Sequence, residues 1–395
     1  MKRLLVISSA PAQETPEGVL LDKKFLEGME SYCAGWEGEV HCILQKTGGT
    51  VPFGKRVAPA ELPFQLIMPG PEARLGKAQL EQYDVILCSG DNHRYFYLAE
   101  LCPDLPGRLY YIIEYILETR IQILLLDGGR SWMGKAKSIV WTLREEMRRR
   151  RAFRLANGLQ ANGYPAWAAY EGLNANTLLY LDNRAGHDLL ATPAEMQARR
   201  GHLETGGPLR LIHSGRLERM KGSQDLVPVA RSLRERGVDF RLDIFGTGSL
   251  EEEIRHEIAQ AGLQDCVHLN GTVDFQTELV PFTRTRSDIF LSCHRQSDPS
   301  CTYLESLGCG VAVAGYSNRM WTALQEKSGA GWVAPLGNTQ ALAGVIEGAA
   351  ADRADVIRRC TAARSFAQDH TFEIEFARRL AQLSGPAGGE DAGAE

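Results

Sequence analysis

The stretch SDPSCTYLESLGCG, Ser297 to Gly310, separates two short apolar runs, SDIFLSCH and VAVAGY. An apolar run, a short helical segment and a second apolar run are typical of a β–α–β unit in a parallel sheet. The segment between the runs contains a single glutamate, Glu305. Because a buried carboxylate is costly without a partner, the stretch predicts a binding role for Glu305 as well as the fold.

The same alternation of short apolar runs and longer amphipathic segments continues through both halves of the chain. It predicts βαβ units, parallel sheets and the α/β class, with two Rossmann-like domains. We expect strands at Leu4–Ser8, Glu39–Leu44, Phe64–Met68, Asp84–Ser89, Arg108–Ile113, Gly158–Ala161, Leu209–Ser214, Phe240–Phe245, Val267–Leu269, Asp288–Cys293, Val311–Ala314 and Gly331–Ala334.

Two domains are also expected because 395 residues exceed what one core usually fills. The polar segment ARRGHLETGGP, Ala198 to Pro208, marks the break between them. We therefore expect a first domain at 1–200 and a second at 208–369. The amphipathic helix predicted within 370–385 is expected to return to the first domain, and the tail 386–395 to be disordered.

Composition narrows the class of protein. The formal net charge is −5, which argues against a nucleic-acid partner. Nine scattered cysteines without a CxxC pair are typical of reduced core thiols. The N-terminal apolar run is too short for a signal peptide, and no segment is long enough to span a membrane. We expect a soluble, cytoplasmic protein.

In α/β sheets of this kind, ligands bind in the loops that follow the strands. The first loop of the second half reads HSGRLERMKG, with Gly215, Arg216 and Lys221 after a strand. A glycine turn followed by arginine and lysine suits a diphosphate. A solvated basic loop is the alternative interpretation, and the two are equally supported at this point.

Two further loops carry weaker signals. FGTGS places Gly246 and Gly248 after a strand, but the third glycine position of a dinucleotide fingerprint holds Glu251. A tight strand-to-helix turn explains it at least as well. LNGTV carries the turn signal Asn270-Gly271, which by itself has no functional meaning.

The opening stretch predicts a helix from Cys301 to Leu307 that begins after Pro299 and is capped by Ser300. The unpaired N–H groups of its first turn can bind an anion. Glu305, beyond that turn, can accept two hydrogen bonds from ribose hydroxyls. The segment thus suits a nucleoside diphosphate.

Five motifs occur in order: GRLERMKG, FGTGSL, HLNGTV, SDIFLSCH and DPSCTYLESLGCGVAV. Together they resemble the retaining glycosyltransferases of GT-B architecture, the family of sucrose synthases and phosphatidylinositol mannosyltransferases. The resemblance extends from Leu209 to about Pro335. It implies two Rossmann-like domains facing a cleft, with a C-terminal helix crossing back to the first domain.

The resemblance also implies an activity: transfer of a hexosyl or N-acetylhexosaminyl group from a nucleoside diphosphate sugar, UDP rather than GDP, to an acceptor hydroxyl. The acceptor would be a glycan, a lipid-linked molecule or a small molecule.

The resemblance implies no cofactor and no metal, because Arg216 and Lys221 would replace the cation. Consistent with this, no DxD motif occurs in the chain. Both residues would stabilise the leaving diphosphate. The residues implied in donor binding are Gly215, Gly246, Gly248, Asn270, Gly271, Thr272, Asp298, Ser300, Cys301, Thr302, Tyr303 and Glu305.

One position departs from the family pattern. The family usually has two glutamates separated by seven residues, and the first holds the transferred sugar. Counting back from Glu305 reaches Ser297, with Asp298 next to it as the only nearby carboxylate. The sugar contact, and whether Asp298 supplies it, stays open.

In the first half, where the family binds its acceptor, the signals are single residues. Glu114 follows a strand at the position where the family often has a histidine, and is a catalytic candidate; an exposed glutamate at a helix start is the alternative. His93 and Asp127 are acceptor-side candidates, and a structural role is the more common explanation for a lone histidine.

The segment Lys135 to Arg154 carries eight Lys or Arg against two Glu. On a helix it would have one apolar side, which suits peripheral contact with the inner face of a membrane. A solvated helix face is the alternative.

Three other functions are alternatives. A nucleotide-sugar 2-epimerase would share the fold, and a non-catalytic nucleotide-binding relative would explain the missing first glutamate. An NAD-dependent oxidoreductase would use FGTGS as its fingerprint, but the absent third glycine counts against it.

Overall fold

The computed structural model describes residues 1–49, 51, 54–70, 73–126, 129–297 and 299–385. The chain divides into two compact units. The first comprises Met1–Arg120, Ser131–Tyr180 and the segment from Phe376; the second comprises Ile121–Arg130 and Leu181–Glu375. The tail 386–395, which we expected to be disordered, lies outside the described residues.

The first unit is built on a mixed sheet in which β1 is central. Its first half pairs in parallel with β3 and β6, and its second half pairs antiparallel with β2. The sheet continues through β6, β7, β8 and β9 on one side, while β3 leads to β5 and β2 leads to β4. The strands are β1 Lys2–Thr15, β2 Gly18–Asp22, β3 Gly38–Lys46, β4 Gly54–Val57, β5 Gln65–Ile67, β6 Val85–Ser89, β7 Arg108–Ile113, β8 Gly158–Asn162 and β9 Thr177–Tyr180.

The second unit is built on a parallel sheet in the order β12-β11-β10-β13-β14-β15. Its strands are β10 Leu209–Ser214, β11 Phe240–Phe245, β12 Val267–Gly271, β13 Ile289–Ser292, β14 Ala312–Tyr316 and β15 Gly331–Ala334. The chain proceeds outward from β10 to β12 and then returns to place β13 on the other side of β10. The order therefore reverses between β10 and β13, and sheets of this kind bind ligands at such a point.

Helices cover the sheets and connect the strands. In chain order they are α1 Lys23–Gly35, α2 Lys77–Leu80, α3 Leu98–Leu101, α4 Leu117–Leu126, α5 Trp132–Leu155, α6 Gly163–Tyr170, α7 Pro193–Glu204, α8 Leu226–Glu235, α9 Glu251–Gln260, α10 Val280–Arg286, α11 Cys301–Gly308, α12 Arg319–Ser328, α13 Thr339–Ala351, α14 Arg353–Gln368 and α15 Phe372–Ser384. Each unit has its own core of buried aliphatic and aromatic side chains.

The expected α/β class with two parallel-sheet domains is confirmed, and each expected strand is present. The sequence interpretation missed β2, β4 and β9. Strand β4 (GKRV) is almost entirely exposed, so it lacks the apolar alternation by which a strand is recognised. Strand β2 exists because it forms a hairpin with the second half of β1, which extends beyond the expected Leu4–Ser8.

The boundary between the units differs from the expected one. Tyr180 ends the first unit, and residues Ala198–Glu204, expected to lie in the break, are part of α7 in the second unit. Arg199 of α7 explains this placement, since its buried guanidinium donates to the carbonyl oxygens of Ser287 (2.8 Å) and Gly310 (2.9 Å). These bonds fix α7 to the second sheet.

At the other end of the chain, α15 packs on the first unit through its last turns. Gln382 donates to the carbonyl oxygens of Leu159 (3.2 Å) and Asn176 (3.0 Å), and the Arg379 side chain bonds Gln160 (3.0 Å). Within the described ranges, none of the helices combines the length and the apolar character needed to cross a bilayer.

Candidate active site

The loops that follow β10, β11 and β12 are hydrogen-bonded to one another at the carboxyl edge of the second sheet. Gly246 N–H donates to the carbonyl oxygen of Gly271 (2.7 Å), and Leu217 N–H donates to that of Thr247 (3.0 Å). The Glu218 carboxylate accepts from the backbone N–H and the hydroxyl of Ser249, at 3.0 and 2.6 Å. Three of the expected donor-binding loops therefore form one continuous surface.

The loop after β10 presents both expected diphosphate ligands. Arg216 is exposed, and Lys221 is half-buried at the end of a 3₁₀ turn, Arg219–Lys221. Gly215 has a φ of 148°, and a β-carbon added to it would meet no other atom within 4 Å. Its backbone is thus open to an approaching group, in a conformation that favours glycine.

Gly246 and Gly248 have a different reason to be glycine. A β-carbon on Gly246 would lie 1.9 Å from the Gly215 carbonyl oxygen, and one on Gly248 would lie 2.4 Å from that of Leu217. Both glycines therefore allow the loop after β11 to pack on the loop after β10. The GxG pattern in FGTGS follows from this loop contact.

The turn expected at Asn270-Gly271 is only partly present, because β12 extends into it. Strand β12 continues through Asn270 to Gly271, and the Asn270 amide donates to the buried carboxylate of Asp243 (3.1 Å). Its side chain is therefore engaged within the sheet. Gly271, with a φ of 68°, ends the strand, and Thr272 is exposed beyond it.

Helix α11 begins where the sequence predicted, after Ser300, and ends one residue later than expected, at Gly308. The Ser300 hydroxyl does not cap the helix but pairs with the Thr302 hydroxyl at 2.9 Å. Cys301 is half-buried, and its thiol lies 3.6 Å from an Asp182 oxygen.

Tyr303 faces the interior of the second unit. Its side chain is fully buried, and its hydroxyl accepts from the Asn318 amide (3.1 Å) and bonds the Ser292 hydroxyl (3.1 Å). The ring stacks on Trp321. The Tyr303 side chain, which was expected to touch a donor, is therefore committed to the core of the second unit.

Glu305 has a partner that sequence reasoning missed. Arg184 donates through Nε to Oε1 (2.8 Å) and through Nη2 to Oε2 (3.3 Å). The Arg184 guanidinium lies 3.9 Å above the centre of the Phe275 ring. The Glu305 side chain is 8% exposed and that of Arg184 38% exposed, so the pair lies at the edge of the surface with the carboxylate inward.

Three further polar side chains are buried near this edge: His213 near the end of strand β10, and His294 and Gln296 after β13. His213 Nδ1 donates to the Leu291 carbonyl oxygen (2.9 Å), and its ring lies 6.5 Å from that of His294. His213 Nε2, His294 Nδ1 and the Gln296 amide have no hydrogen-bond partner among the residues that the structure describes. Burial, with a contribution from Lys221, lowers the pKa of His213 to about 4, so its imidazole is neutral.

Ser297, which stands where the family pattern has its first glutamate, is buried. Its hydroxyl accepts from the backbone N–H of Arg319 at the start of α12 (3.1 Å). It therefore stabilises a helix start. Asp298, the candidate replacement, lies outside the described residues.

Two of the first-half candidates, Glu114 and His93, belong to the first unit. Glu114 is exposed after β7, and its backbone N–H donates to the Asp91 carboxylate (2.8 Å). His93 is half-buried with its ring edge-on to Trp141 (4.9 Å), and burial lowers its pKa. Asp127 lies outside the described residues. In the parts of the chain that are described, no group of three or more His, Cys, Asp or Glu is placed to hold a metal ion.

Comparison with known families finds a match within the second unit. A model described as glycosyl transferases group 1 matches residues 195–365. The amylovoran biosynthesis glycosyltransferase AmsK of Erwinia amylovora is 30% identical over 188 residues, which cover 45% of this chain and 44% of AmsK. The match thus spans less than half of that relative's length.

Solved structures extend the likeness to the whole fold. Anabaena Alr3699/HepE in complex with UDP has a TM-score of 0.68 at 14% identity, covering 97% of this chain and 99% of that one. Sucrose-phosphate synthase from Thermosynechococcus elongatus has a TM-score of 0.66 at 15% identity, covering 97% and 98%. At such identities the likeness concerns the fold. The family match therefore lies in the second unit, and the likeness in fold covers both units.

Proposed function

We propose that this protein is a retaining glycosyltransferase that moves a sugar from a nucleoside diphosphate sugar, UDP rather than GDP, to an acceptor hydroxyl without a metal ion. The proposal rests on one observation: two loops that carry candidate donor ligands lie next to each other where the strand order of the second sheet reverses. The loop with Gly215, Arg216 and Lys221 follows β10, and α11 follows the neighbouring β13. HepE, of the same fold, has been solved with UDP and with UDP-glucose.

The chemistry of this edge suits a departing diphosphate. Arg216 and Lys221 bring two positive charges, and α11 begins at the same edge with the positive end of its helix dipole. Charge develops on the diphosphate as the sugar leaves, and fixed donors aimed at it stabilise the transition state. In this mechanism the leaving phosphate accepts the proton of the acceptor hydroxyl, and the new bond forms on the face that the diphosphate leaves.

The test is a thermal-unfolding panel with UDP, GDP, ADP, dTDP and NAD in the absence of added metal. A ligand at about 100 times its dissociation constant adds roughly 2.7 kcal/mol of stability. We expect UDP to raise the unfolding temperature and NAD to leave it unchanged. A rise with NAD alone would refute the proposal. Release of UDP from a UDP-sugar then separates an enzyme from a non-catalytic binder.

The acceptor is assigned to the first half of the chain, with Glu114, His93 and Asp127 as its candidate contacts. Glu114 is the strongest of these, because its backbone is fixed by Asp91 while its side chain is exposed at the carboxyl edge of the sheet. A glycan, a lipid-linked molecule or a small molecule would suit such an open position. Glu114→Gln should lower transfer to the acceptor while leaving the affinity for UDP unchanged.

Peripheral binding to the inner face of an anionic membrane forms part of the proposal. Helix α5 has several exposed large apolar side chains, among them Trp141 on another side of the helix. Five of them lie on one side and are between 44% and 78% exposed: Trp132, Met133, Val140, Leu143 and Met147. With 3.6 residues per turn they fall within about 100° of the helix circumference. We call them the α5 stripe.

The surroundings of the α5 stripe favour a lipid surface over an apolar protein partner. The exposed basic residues Lys137, Arg144 and Arg148 border it on one side, while Thr142, Arg149 and Phe153 on the opposite side of the helix are buried. An apolar stripe with basic flanks suits anionic lipid headgroups above acyl chains.

Co-sedimentation with vesicles tests this contact. We expect binding to phosphatidylglycerol-containing vesicles that weakens with salt, and much less to phosphatidylcholine alone. The double variant Leu143→Glu/Met147→Glu should lose binding, whereas Leu336→Glu, at an exposed leucine of the second unit, should retain it. Equal binding by all three proteins would contradict the proposal.

A further inference from the structure

The Arg184–Glu305 pair carries an inference that deepens the proposed function and rests on it. Both oxygens of the Glu305 carboxylate accept a hydrogen bond from Arg184. A carboxylate has about four acceptor positions, so roughly one position on each oxygen is left for other donors. Two hydroxyls on adjacent carbons can therefore bind Glu305 while Arg184 stays in place.

Arg184 is itself held from two sides. Its backbone lies in a pinned segment, because the buried Asn183 side chain accepts from Ala185 N–H (2.9 Å) and donates to the carbonyl oxygen of His370 (3.0 Å). Its guanidinium carbon lies 3.9 Å from the centre of the Phe275 ring, at the start of the helical turn that follows β12. The backbone and the guanidinium of Arg184 are thus both held where the side chain donates to Glu305.

The burial of the pair indicates what these contacts are for. A carboxylate that is 8% exposed needs a partner to stay ionised, and a lysine would satisfy the charge alone. A planar bidentate fork also sets the rotation of the carboxylate about its last bond. Glu305 is therefore presented to the surface in one orientation.

We propose that Arg184 is a positioning residue for the donor: by orienting Glu305 it allows the carboxylate to accept both ribose hydroxyls, and so selects ribonucleotides over deoxyribonucleotides. Arg184 acts through Glu305 and the ribose. The base and the diphosphate are bound by other residues, so their contribution to affinity does not depend on it.

The experiment compares the affinities of UDP and 2′-deoxy-UDP in titration calorimetry for three full-length proteins. In the wild type we expect UDP to bind about 10-fold more tightly than 2′-deoxy-UDP, the ratio given by one hydrogen bond to a charged group. In Arg184→Gln this ratio should fall toward one, because UDP loses two oriented hydrogen bonds and 2′-deoxy-UDP loses only the one from its 3′-hydroxyl. The matched control is Arg255→Gln, which removes an exposed arginine paired with Glu251 on α9 and should keep the wild-type ratio.

The outcomes separate the inference from the function beneath it. If the wild type binds neither nucleotide, the proposed function fails and the inference with it. If it binds UDP and Arg184→Gln preserves the ratio, only the inference is overturned. An equal loss of both affinities in Arg184→Gln also overturns it, since general damage to the site does not distinguish the two sugars. Arg184→Lys, which keeps the charge without the fork, should retain UDP binding with a reduced ratio.

Discussion

The carbonyl oxygen of Gly215 occupies the space that a β-carbon of Gly246 would need. The two would be 1.9 Å apart, and Gly246 has a φ of 124°. The glycines of two successive loops are thus in direct contact. This contact gives FGTGS a structural reason that is independent of nucleotide binding, and it holds the Gly215 loop in the position where we place the diphosphate.

Gly246→Ala should therefore be strongly destabilising. The left-handed backbone costs about 1–2 kcal/mol for a residue with a β-carbon, and the contact with Gly215 adds a comparable overpacking term. We expect the second unit to lose roughly 3 kcal/mol of unfolding free energy, measured by hydrogen exchange of Leu209–Ser214.

Gly262→Ala is the matched control, because Gly262 has a φ of 64° but open space around its missing β-carbon. It should cost only the backbone term, about 1–2 kcal/mol. An equal loss in both variants would show that the contact with Gly215 contributes nothing.

In the first unit, the buried ion pair of Asp91 and Arg149 should dominate the stability of the loops after β6 and β7. The Arg149 side chain is fully buried, its Nη2 lies 2.8 Å from Asp91, and the same carboxylate accepts from the N–H groups of Glu114 and Tyr115. Asp91→Ala removes the nearer carboxylate of the buried Arg149, leaving Glu146 at 3.6 Å, and removes the acceptor of the two N–H groups; it should cost about 3 kcal/mol. Hydrogen exchange of Val85–Ser89 measures the loss.

The comparison for Asp91 is Glu100→Ala. Glu100 pairs with Arg151 at 3.5 Å, but both side chains are more than half exposed. Water screens such a pair, so we expect a change below about 1 kcal/mol. The argument from burial would be refuted if the two substitutions had similar effects.

These relationships show where sequence reasoning succeeded and where it could not. The twelve expected strands and the start of α11 follow from local patterns of apolar residues and turns, so they could be predicted. The partners of individual side chains could not be predicted from such local patterns. Arg184 lies 121 residues from Glu305, and a chain with many arginines contains no signal that selects this one. Tyr303 looked like a ligand contact because its neighbours in sequence do, yet helix periodicity turns its ring toward Trp321.

Lys221→Ala tests the diphosphate contact by itself. A hydrogen bond to a charged group contributes about 1.5–3 kcal/mol, so the affinity for UDP should fall roughly 10- to 100-fold. The affinity for uridine, which has no phosphate, should not change. Lys327→Ala, at an exposed lysine in the last turn of α12, should leave both affinities as they are. If uridine binding fell in parallel with UDP binding in Lys221→Ala, the lysine would have to be assigned to the nucleoside or to the fold.

The buried His213 predicts that the second unit becomes less stable in acid. Burial lowers its pKa from 6.5 to about 4, so below pH 6.5 the unfolded chain takes up a proton that the folded state does not bind until about pH 4. Stability from this group is therefore complete above pH 6.5 and falls as the pH decreases toward 4, by up to about 1.4 kcal/mol per pH unit. His294, whose pKa is also lowered by burial, acts in the same direction.

His213→Gln removes the titrating group. Hydrogen exchange of Leu209–Ser214 should therefore show a smaller loss of stability between pH 7 and pH 5 than in the wild type, whatever the variant's stability at neutral pH. His256→Gln, at an exposed histidine of α9, should keep the full loss. A wild-type slope in His213→Gln would mean that other groups govern the acid sensitivity of this unit.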